Sequence, residues 1–340
     1  MVDGMRKPPT SFDVARLAGV SRSTVSRAFT DGGKISTDVR KKVHEAAEQL
    51  GYHVNYLARG LQTRHSNLAG IVASRLDTPI RAVQVKAIAQ EIIGHGMRPM
   101  LLTAESADDV GPLLNSMFSY NVAGMLVTSD TPPSAIIEEC NRLGVPVVLI
   151  NRDPVIEGAD RVQMDPEEAG RLAFEMLHAC RVRRFAVLSP RTRTYTVSGR
   201  ADAFADHCRR EGMPVVRILA ENQSYFGGRG AAAEIAATID SFEGLFCATD
   251  LLAMGALDAA RLDCGVAVPE RLQIVGFDDI EQAGWGAYQL STIRQDVVRQ
   301  ARIAVELMLA RIEEPARPPM VRFQTLTKVF RHTTTGPVRP

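Results

Sequence analysis

One stretch of twenty residues constrains this chain more than any other, Thr10 to Phe29, with the sequence TSFDVARLAGVSRSTVSRAF. Thr10 and Asp13 have the spacing of a capping box, which predicts the start of a helix, and Gly19 predicts its end. Ser21 is the predicted cap of a second amphipathic helix. Two short helices joined by a glycine-containing turn are typical of a helix-turn-helix.

In a helix-turn-helix, the first residues of the second helix enter the major groove of DNA. Arginine can donate two hydrogen bonds to a guanine edge, which discriminates between bases by roughly 1–3 kcal/mol, and short hydroxyl side chains suit phosphate contacts. The residues predicted to contact DNA in this way are Ser21, Arg22, Ser23, Thr24, Ser26 and Arg27. The alternative is a set of ordinary amphipathic helices with arginines on their surface.

A third amphipathic helix is predicted from about Ser36 to Leu50, where Gly51 ends it. Three small helices can bury one compact core, so we expect an all-α head over residues 8–55. The first 65 residues carry eleven Lys and Arg against six Asp and Glu, whereas the remainder carries 29 against 33. A basic head on a mildly acidic body is the charge distribution expected of a DNA-binding protein.

The composition excludes several other classes of protein. With 340 residues, 45% hydrophobic and 23% charged, the chain is long enough for two or three ordinary globular domains. It has neither an apolar signal region near the N-terminus nor a run of about 18 apolar residues, so we expect a cytoplasmic protein without a membrane partner. The five cysteines are far apart and indicate reduced thiols. No spacing points to a metal site, a cofactor or a catalytic pair, so we do not expect an enzyme.

From Leu68 onwards, short apolar runs alternate with helical stretches, which is typical of a parallel sheet covered on both faces. This alternation of apolar runs and helical stretches begins again after Asn151, so the predicted body, 67–335, consists of two doubly wound α/β lobes. The predicted N-lobe comprises about 67–160 plus 294–320, and the C-lobe about 161–293 plus 321–332. Two such lobes leave a cleft at the carboxyl ends of their strands, where ligands bind in open α/β sheets.

The segments DVARLAGVSRSTVSRAF, VRKKVHEAAEQLGY and NYLARGLQTRHSNLAGIV resemble the head and hinge of the lactose-repressor (LacI/GalR) family of bacterial transcription regulators. The body resembles the periplasmic-binding-protein-like core of the same family. The passages that carry this second resemblance include GVPVVLINRD, SGRADAF, GLFCATDLLAMGAL, VPERLQIVGFDDI and LSTIRQD. Together these passages span nearly the whole chain.

The resemblance implies a hinge helix or linker over residues 56–66. It also implies that the segment from Asn55 to Thr63 becomes helical on DNA and that Leu61 inserts into the minor groove. An alternative for Leu61 is an ordinary apolar residue that packs in a linker. Where the family usually has proline and serine, this chain has Val54 and Gly60. Since glycine in a helix costs about 1 kcal/mol relative to alanine, we expect Gly60→Ala to raise affinity for the operator; unchanged or weaker binding would contradict this.

Residues at the predicted strand ends are the candidates for binding a small-molecule effector. They are Asp77, Thr78, Arg81, Ser129, Arg152, Thr196, Arg200, Asp250 and Asp278. The resemblance implies that Arg200 holds an effector carboxylate or hydroxyl and that Asp278 accepts from effector hydroxyls or ring nitrogens. Alternatively, Arg200 and Asp278 form a structural ion pair.

The family often has two aromatic residues at a position where this chain has Thr78-Pro79-Ile80-Arg81. Because Arg191 and Arg193 also lie near Arg200 in sequence, we expect an anionic effector such as a sugar acid or sugar phosphate. The alternative is that these arginines are surface charges around a site for a neutral sugar.

The complete interpretation is a sequence-specific DNA-binding regulator, a repressor, that acts as a homodimer or tetramer on a pseudo-palindromic double-stranded operator. A small molecule in the cleft would bias the hinge and the head. Two alternatives from other classes are a small-molecule-binding protein and an α/β enzyme with an appended regulatory head.

Overall fold

The structure, a computed structural model, describes residues 8–29, 34–53, 67–103, 117–128, 134–151 and 159–336. It divides into two compact units, Met1–Ser66 and Asn67–Pro340, which we call the head and the body. The predicted hinge, with Asn55 and Leu61, lies outside the described residues, as do the effector candidates Ser129 and Arg152.

The head contains helices α1 (Ser11–Ala18), α2 (Arg22–Ala28) and α3 (Thr37–Leu50). Asp13 closes the capping box by accepting hydrogen bonds from the backbone N–H and the hydroxyl of Thr10. Gly19 and Gly51 end α1 and α3 in left-handed backbone conformations, which glycine adopts without strain. The three helices bury one small core of aliphatic side chains, made by Val14, Ala15, Val25, Ala28, Val43, Ala46 and Ala47.

The described part of the body contains two six-stranded sheets. In the first sheet all paired strands are parallel, in the order β11-β5-β4-β3-β1-β2. Its strands are β1 (Leu68–Ala73), β2 (Arg98–Thr103), β3 (Gly124–Val127), β4 (Val147–Ile150), β5 (Asp160–Gln163) and β11 (Val321–Phe323).

The second sheet has the order β12-β10-β9-β8-β6-β7; of these described strands, the edge pair β10–β12 is antiparallel and the other pairs are parallel. Its strands are β6 (Phe185–Pro190), β7 (Val215–Ala220), β8 (Gly244–Cys247), β9 (Gln273–Asp278), β10 (Ser291–Gln295) and β12 (Leu326–Val329). The fold class predicted from the sequence, a helical head with two parallel α/β lobes, is therefore confirmed.

Helices connect and cover the strands of both sheets. Those of the described part of the body are α4 (Pro79–Gly94), α5 (Ser134–Leu143), α6 (Pro166–Ala179), α7 (Tyr195–Arg210), α8 (Tyr225–Gly230), α9 (Ala232–Thr238), α10 (Asp250–Asp258) and α11 (Val297–Glu313). Single turns of other helix types follow at Ile239–Ser241, Ala259–Asp263 and Glu281–Gly284. Aliphatic and aromatic side chains from the strands and helices form buried clusters against both sheets.

Three strands at the crossovers between the lobes do not follow the predicted lobe boundaries. The predicted C-lobe includes residues 161–163 and 321–323, but β5 pairs with β4 and β11 pairs with β5, so both strands belong to the first sheet. Conversely, the end of β10, at 294–295, belongs to the second sheet and not to the N-lobe. The hydropathy of a segment indicates a strand but does not indicate which strand it pairs with. Tertiary packing decides which strand pairs with which. Here β5 begins at the fully buried Asp160, which forms salt bridges with Arg311 and Arg317.

Candidate functional site

The start of helix α2 carries the residues predicted to contact DNA. The hydroxyl of Ser21 caps the helix by accepting from the backbone N–H of Thr24 at 3.2 Å. It also contacts the hydroxyls of Ser23 at 2.7 Å and Thr24 at 2.9 Å. These hydroxyls therefore stabilise the first turn of the helix, while Ser21, Ser23 and the neighbouring Ser26 remain exposed.

Two arginines project from the exposed side of α2, and each is supported within the head. The guanidinium carbon of Arg22 lies 4.0 Å from the centre of the Phe12 ring, whose side chain is 62% exposed. Arg27 donates from Nε to the backbone oxygen of Ser23 at 3.2 Å. Sequence reasoning missed Phe12; the available signal was an aromatic residue at a position of α1 that does not belong to its apolar side.

In the body, a cavity lies where the carboxyl ends of strands from both sheets face each other, with a volume of about 60 Å³. This volume accommodates a few water molecules. The lining residues are Arg75, Thr78, Ile80, Arg81, Gln84, Asn151, Thr196, Val197, Arg200, Gln223, Asp278 and Gln295.

The structure places five of the effector candidates in this lining: Thr78, Arg81, Thr196, Arg200 and Asp278. Two others lie elsewhere. The side chain of Asp77 is exposed, because the turn after β1 directs it to solvent, and Asp250 is completely buried at the start of α10.

Arg200 is buried and its guanidinium is held in place from two sides. Its Nε donates to the backbone oxygen of Ala248 at 2.6 Å, and its guanidinium carbon lies 4.0 Å from the centre of the Phe277 ring. The closest approach to Asp278 is 3.9 Å, between Nη2 and Oδ1, which is longer than a hydrogen bond. The two groups attract each other electrostatically, and both line the cavity.

Asp278 stands at the end of β9 in a strained backbone conformation, with φ of 123°. Its Oδ1 accepts from Nε2 of Gln295 at 2.6 Å. Burial raises the pKa of Asp278 to about 6, although the positive charge of Arg200, the bond from Gln295 and the charge of Arg81 lower it. Strain and a perturbed pKa at a cavity wall are typical of functional sites.

Asp250 lies behind this wall and supports it. Its carboxylate accepts from the hydroxyl of Thr292 at 2.6 Å and from the backbone N–H of Ile280 at 2.9 Å. Burial, and then the negative charge of Asp278, raise the pKa of Asp250 to about 7. Asp250 therefore anchors the turn that follows Asp278, so it acts on the cavity indirectly.

Arg75 connects the two lobes across the cleft, a role that sequence reasoning missed. Its guanidinium donates to Oε1 of Gln223 at 3.0 Å and to the backbone oxygen of Gln223 at 3.2 Å. Residue types alone do not reveal this contact, because the two residues are 148 positions apart. Arg75 lies in the ASRLDTP turn after β1 and Gln223 in the turn after β7.

Among the residues that the structure describes, the charged groups of the lining are three arginines, Arg75, Arg81 and Arg200, and one acid, Asp278. The cavity is therefore cationic. Arg191 and Arg193, which also suggested an anionic ligand, do not belong to the lining, and Arg193 pairs with Asp202 at 2.6 Å.

The described part of the chain contains no group of three or more His, Cys, Asp or Glu side chains that could hold a metal ion. Within the same residues, no helix combines the length and apolar character needed to cross a membrane.

Two protein families match separate parts of the chain. Residues 12–55 match the family described as "Bacterial regulatory proteins, lacI family", and residues 174–334 match "Periplasmic binding protein-like domain". The first match covers nearly all of the three helices of the head, and the second contains all six strands of the second sheet.

Curated relatives align over almost the whole chain. The "Ribose operon repressor" of Bacillus subtilis (strain 168) is 28% identical over 328 residues, which cover 96% of this chain and 98% of the relative. The "HTH-type transcriptional regulator GalR" of Escherichia coli (strain K12) is 27% identical over 342 residues, with 96% of each chain covered.

Solved structures share the fold. A lac repressor dimer bound to operator and the anti-inducer ONPF superposes with a TM-score of 0.84 at 24% identity, covering 96% of this chain and 99% of that one. The complex of the transcriptional regulator CelR with cellobiose has a TM-score of 0.71 at 25% identity, with the same coverage. Head, body and relatives lead to one conclusion: the chain combines a DNA-binding head of the lacI family of bacterial regulatory proteins with a periplasmic-binding-protein-like body, and it is a DNA-binding transcriptional regulator.

Proposed function

We propose that this regulator is a repressor that binds a pseudo-palindromic operator as a homodimer or tetramer in the cytoplasm. In this proposal the head (8–55) reads DNA, the hinge (56–66) inserts Leu61 into the minor groove, and the body (67–335) binds an effector in its cleft. The observation that carries the proposal is the exposed pair Arg22 and Arg27 on a capped helix of a helix-turn-helix head. Several relatives that align over most of the chain are named as repressors.

Selection of duplex DNA from a random pool tests the DNA-binding part. We expect a palindromic consensus with guanine at the positions that Arg22 and Arg27 read, and Arg22→Ala relaxes the preference at one position of each half-site. A matched control is Arg210→Ala, which removes an exposed arginine from the body. Recovery of unrelated sequences by the unaltered protein would reject operator recognition.

The effector in this proposal is an anionic sugar derivative, such as a sugar acid or a sugar phosphate. The described part of the cavity lining contains three arginines and one carboxylate, which supports this effector, since a planar guanidinium matches carboxylate and phosphate oxygens. Asp278 would accept hydrogen bonds from the hydroxyls of the same ligand.

A neutral sugar is the second candidate. Solved relatives of this fold are described with bound ribose and with cellobiose, and a curated relative is a ribose operon repressor. In this case the lining arginines would donate to hydroxyls.

Thermal unfolding with matched pairs of compounds distinguishes the two candidates. The pairs are galactose with galacturonate, glucose with glucuronate, and ribose with ribose 5-phosphate. We expect stabilisation by the charged member of one pair, because a ligand that binds only the folded state raises the unfolding temperature. Stabilisation by neutral members alone favours the second candidate, and consumption of the bound compound would favour the α/β enzyme with a regulatory head.

Binding of the effector and the operator must be coupled reciprocally if the cleft controls the head. Coupling free energies of this kind are typically about 1–3 kcal/mol, so the effector changes operator affinity by roughly five- to 150-fold. Titration of the selected operator with and without the stabilising compound measures this change and its sign.

A further inference from the structure

Four buried glutamines form a continuous hydrogen-bonded chain that ends at the carboxylate of Asp278. Nε2 of Gln84 donates to Oε1 of Gln300, and Nε2 of Gln300 donates to Oε1 of Gln324 at 2.9 Å. Nε2 of Gln324 then donates to Oε1 of Gln295 at 2.7 Å, and Nε2 of Gln295 donates to Asp278 at 2.6 Å. We call these four residues the glutamine relay; none is more than 9% exposed.

The chemistry of its two ends dictates the direction of the relay. At one end, the guanidinium of Arg81 donates to Oε1 of Gln84 at 2.8 Å, and a guanidinium has only donors to offer. At the other end, an ionised Asp278 can only accept. Each amide between them must therefore turn its oxygen towards Arg81 and its NH₂ group towards Asp278, and chains of aligned hydrogen bonds polarise one another.

The relay crosses the body along the crossovers between its lobes. Gln84 lies on α4, Gln300 lies near the start of α11, Gln324 lies between β11 and β12, and Gln295 ends β10. Gln84 and Gln295 line the cavity, whereas Gln300 and Gln324 do not. The two inner glutamines are therefore outside ligand contact yet determine which atoms the two outer ones can offer.

We propose that Gln300 and Gln324 are positioning residues for the effector site: they hold the amides of Gln84 and Gln295 in one orientation, with the oxygen of Gln84 towards Arg81 and the NH₂ group of Gln295 towards the carboxylate of Asp278. This inference rests on the proposed function, because it concerns the same cleft. It implies a ligand with two chemically different ends, one that accepts from guanidinium groups and one that donates hydroxyl hydrogens to a carboxylate.

The pKa of Asp278 is sensitive to the glutamine relay, because a hydrogen bond to the carboxylate favours its ionised form. The other charged groups that act on it are Arg200 and Arg81, which favour ionisation, and Asp250, whose negative charge opposes it. The adjacent Asp279 is paired with Arg294 and Arg331. None of these groups is altered by substitution of Gln300 or Gln324.

The test follows the ¹³C carboxyl resonance of Asp278 during a pH titration of the full-length protein with ¹³C-labelled aspartate, assigned by its loss in Asp278→Asn. For the unaltered protein the midpoint is expected near 6. Gln300→Met and Gln324→Met preserve side-chain length but cannot pass on the hydrogen bond. We expect each to raise the midpoint by about half a pH unit or more, because Gln295 then loses its fixed orientation.

The matched control is Gln273→Met, which removes a buried amide of β9 that bonds Cys180 and Thr335 and is not part of the relay. It should leave the midpoint of Asp278 unchanged. If the methionine variants do not fold, Gln300→Asn keeps an amide that is too short to bridge its neighbours. An unchanged midpoint in a folded relay variant overturns the inference. Since the titration uses neither DNA nor ligand, its result is independent of whether an effector or an operator is found.

Discussion

At the scale of single residues, Phe12 and Arg22 form an exposed cation–π contact on the head. An aromatic ring under a guanidinium restricts its rotamers before DNA is bound, and such an exposed contact contributes roughly 0.5–1 kcal/mol. We therefore expect Phe12→Leu to weaken binding to the selected operator by about two- to fivefold. Because Phe12 is largely exposed, the unfolding temperature should remain the same. Phe12→Tyr keeps the ring and serves as the control; equal affinities of Phe12→Leu and the unaltered protein would contradict the role.

Thr292 allows a second prediction at this scale. Its hydroxyl donates to the fully buried carboxylate of Asp250 at 2.6 Å, and burial raises the pKa of that carboxyl to about 7. Thr292→Val removes the donor while keeping the shape of the side chain. We expect it to lower the free energy of unfolding by roughly 1.5–3 kcal/mol at about pH 8, where Asp250 is ionised, and by less at about pH 5. Urea unfolding at both values measures this, and in an Asp250→Asn background the dependence on pH should diminish.

At the scale of elements, the contact between α6 and α7 sets the position of Arg200. The helices touch at Gly170, where a Cβ atom would lie 2.4 Å from the backbone nitrogen of Phe204. Backbone atoms cannot give way as a side chain can, so Gly170→Ala must push α7 outwards. Overpacking of this kind costs typically about 1–3 kcal/mol in the free energy of unfolding, measurable by urea denaturation.

The displacement of α7 should also weaken binding of the compound that stabilises the unaltered protein, because α7 carries Arg200 and Thr196 to the cavity. Gly94→Ala is the control on α4, where a Cβ atom would meet nothing within 4 Å. It is expected to leave stability unchanged or slightly improved, since alanine favours helix more than glycine does. Equal stability of the two variants would show that the helix contact is more tolerant than its distances indicate.

At the scale of the whole molecule, the paired acids at the cleft determine how stability depends on pH. Burial raises the pKa of Asp278 to about 6 and of Asp250 to about 7 in the folded protein, from a usual value of 3.8. Between pH 3.8 and these raised pKa values, the folded protein binds more protons than the unfolded chain does. The contribution of the two acids to the free energy of unfolding is therefore fully present below pH 3.8 and is lost as pH rises through 6 and 7.

We accordingly expect the free energy of unfolding to fall between about pH 5 and about pH 8. Acids whose pKa is lowered by arginine partners, such as Glu243 and Asp202, remain ionised across this window and do not oppose the trend. Urea unfolding of the unaltered protein measures the slope, and Asp278→Asn and Asp250→Asn should each reduce it. A stability that rises over this interval would contradict the assignment of raised pKa values to these two acids.

Local chemistry was sufficient to predict most of the helices and strands. Thr10 with Asp13, Ser21 and Gly19 mark helix ends through contacts within a few residues, and Asp165 with Pro166 does the same at α6. Alternation of apolar runs with amphipathic stretches likewise indicates parallel strands with covering helices. These signals can be recognised in a sequence because the residues that interact lie within one or two helical turns of each other.

The cavity was predictable only in part, for the same reason. Thr78, Arg200 and Asp278 could be proposed from their places at strand ends and from the family resemblance. The contact of Arg75 with Gln223 and the glutamine relay could not, because their members are separated by up to 216 residues along the chain. Glutamine is most often a surface residue, so its residue type does not predict burial beside other amides.

By itself, then, the sequence determined the elements, the basic head and the family, since these depend on short-range patterning and on residues in fixed local order. The tertiary structure alone decided which sheet received β5 and β11, which candidates reached the cavity, and how Arg81 is connected to Asp278. Those outcomes depend on burial and on contacts between distant segments, where the energy of a polar group is set by the partner that the fold brings to it.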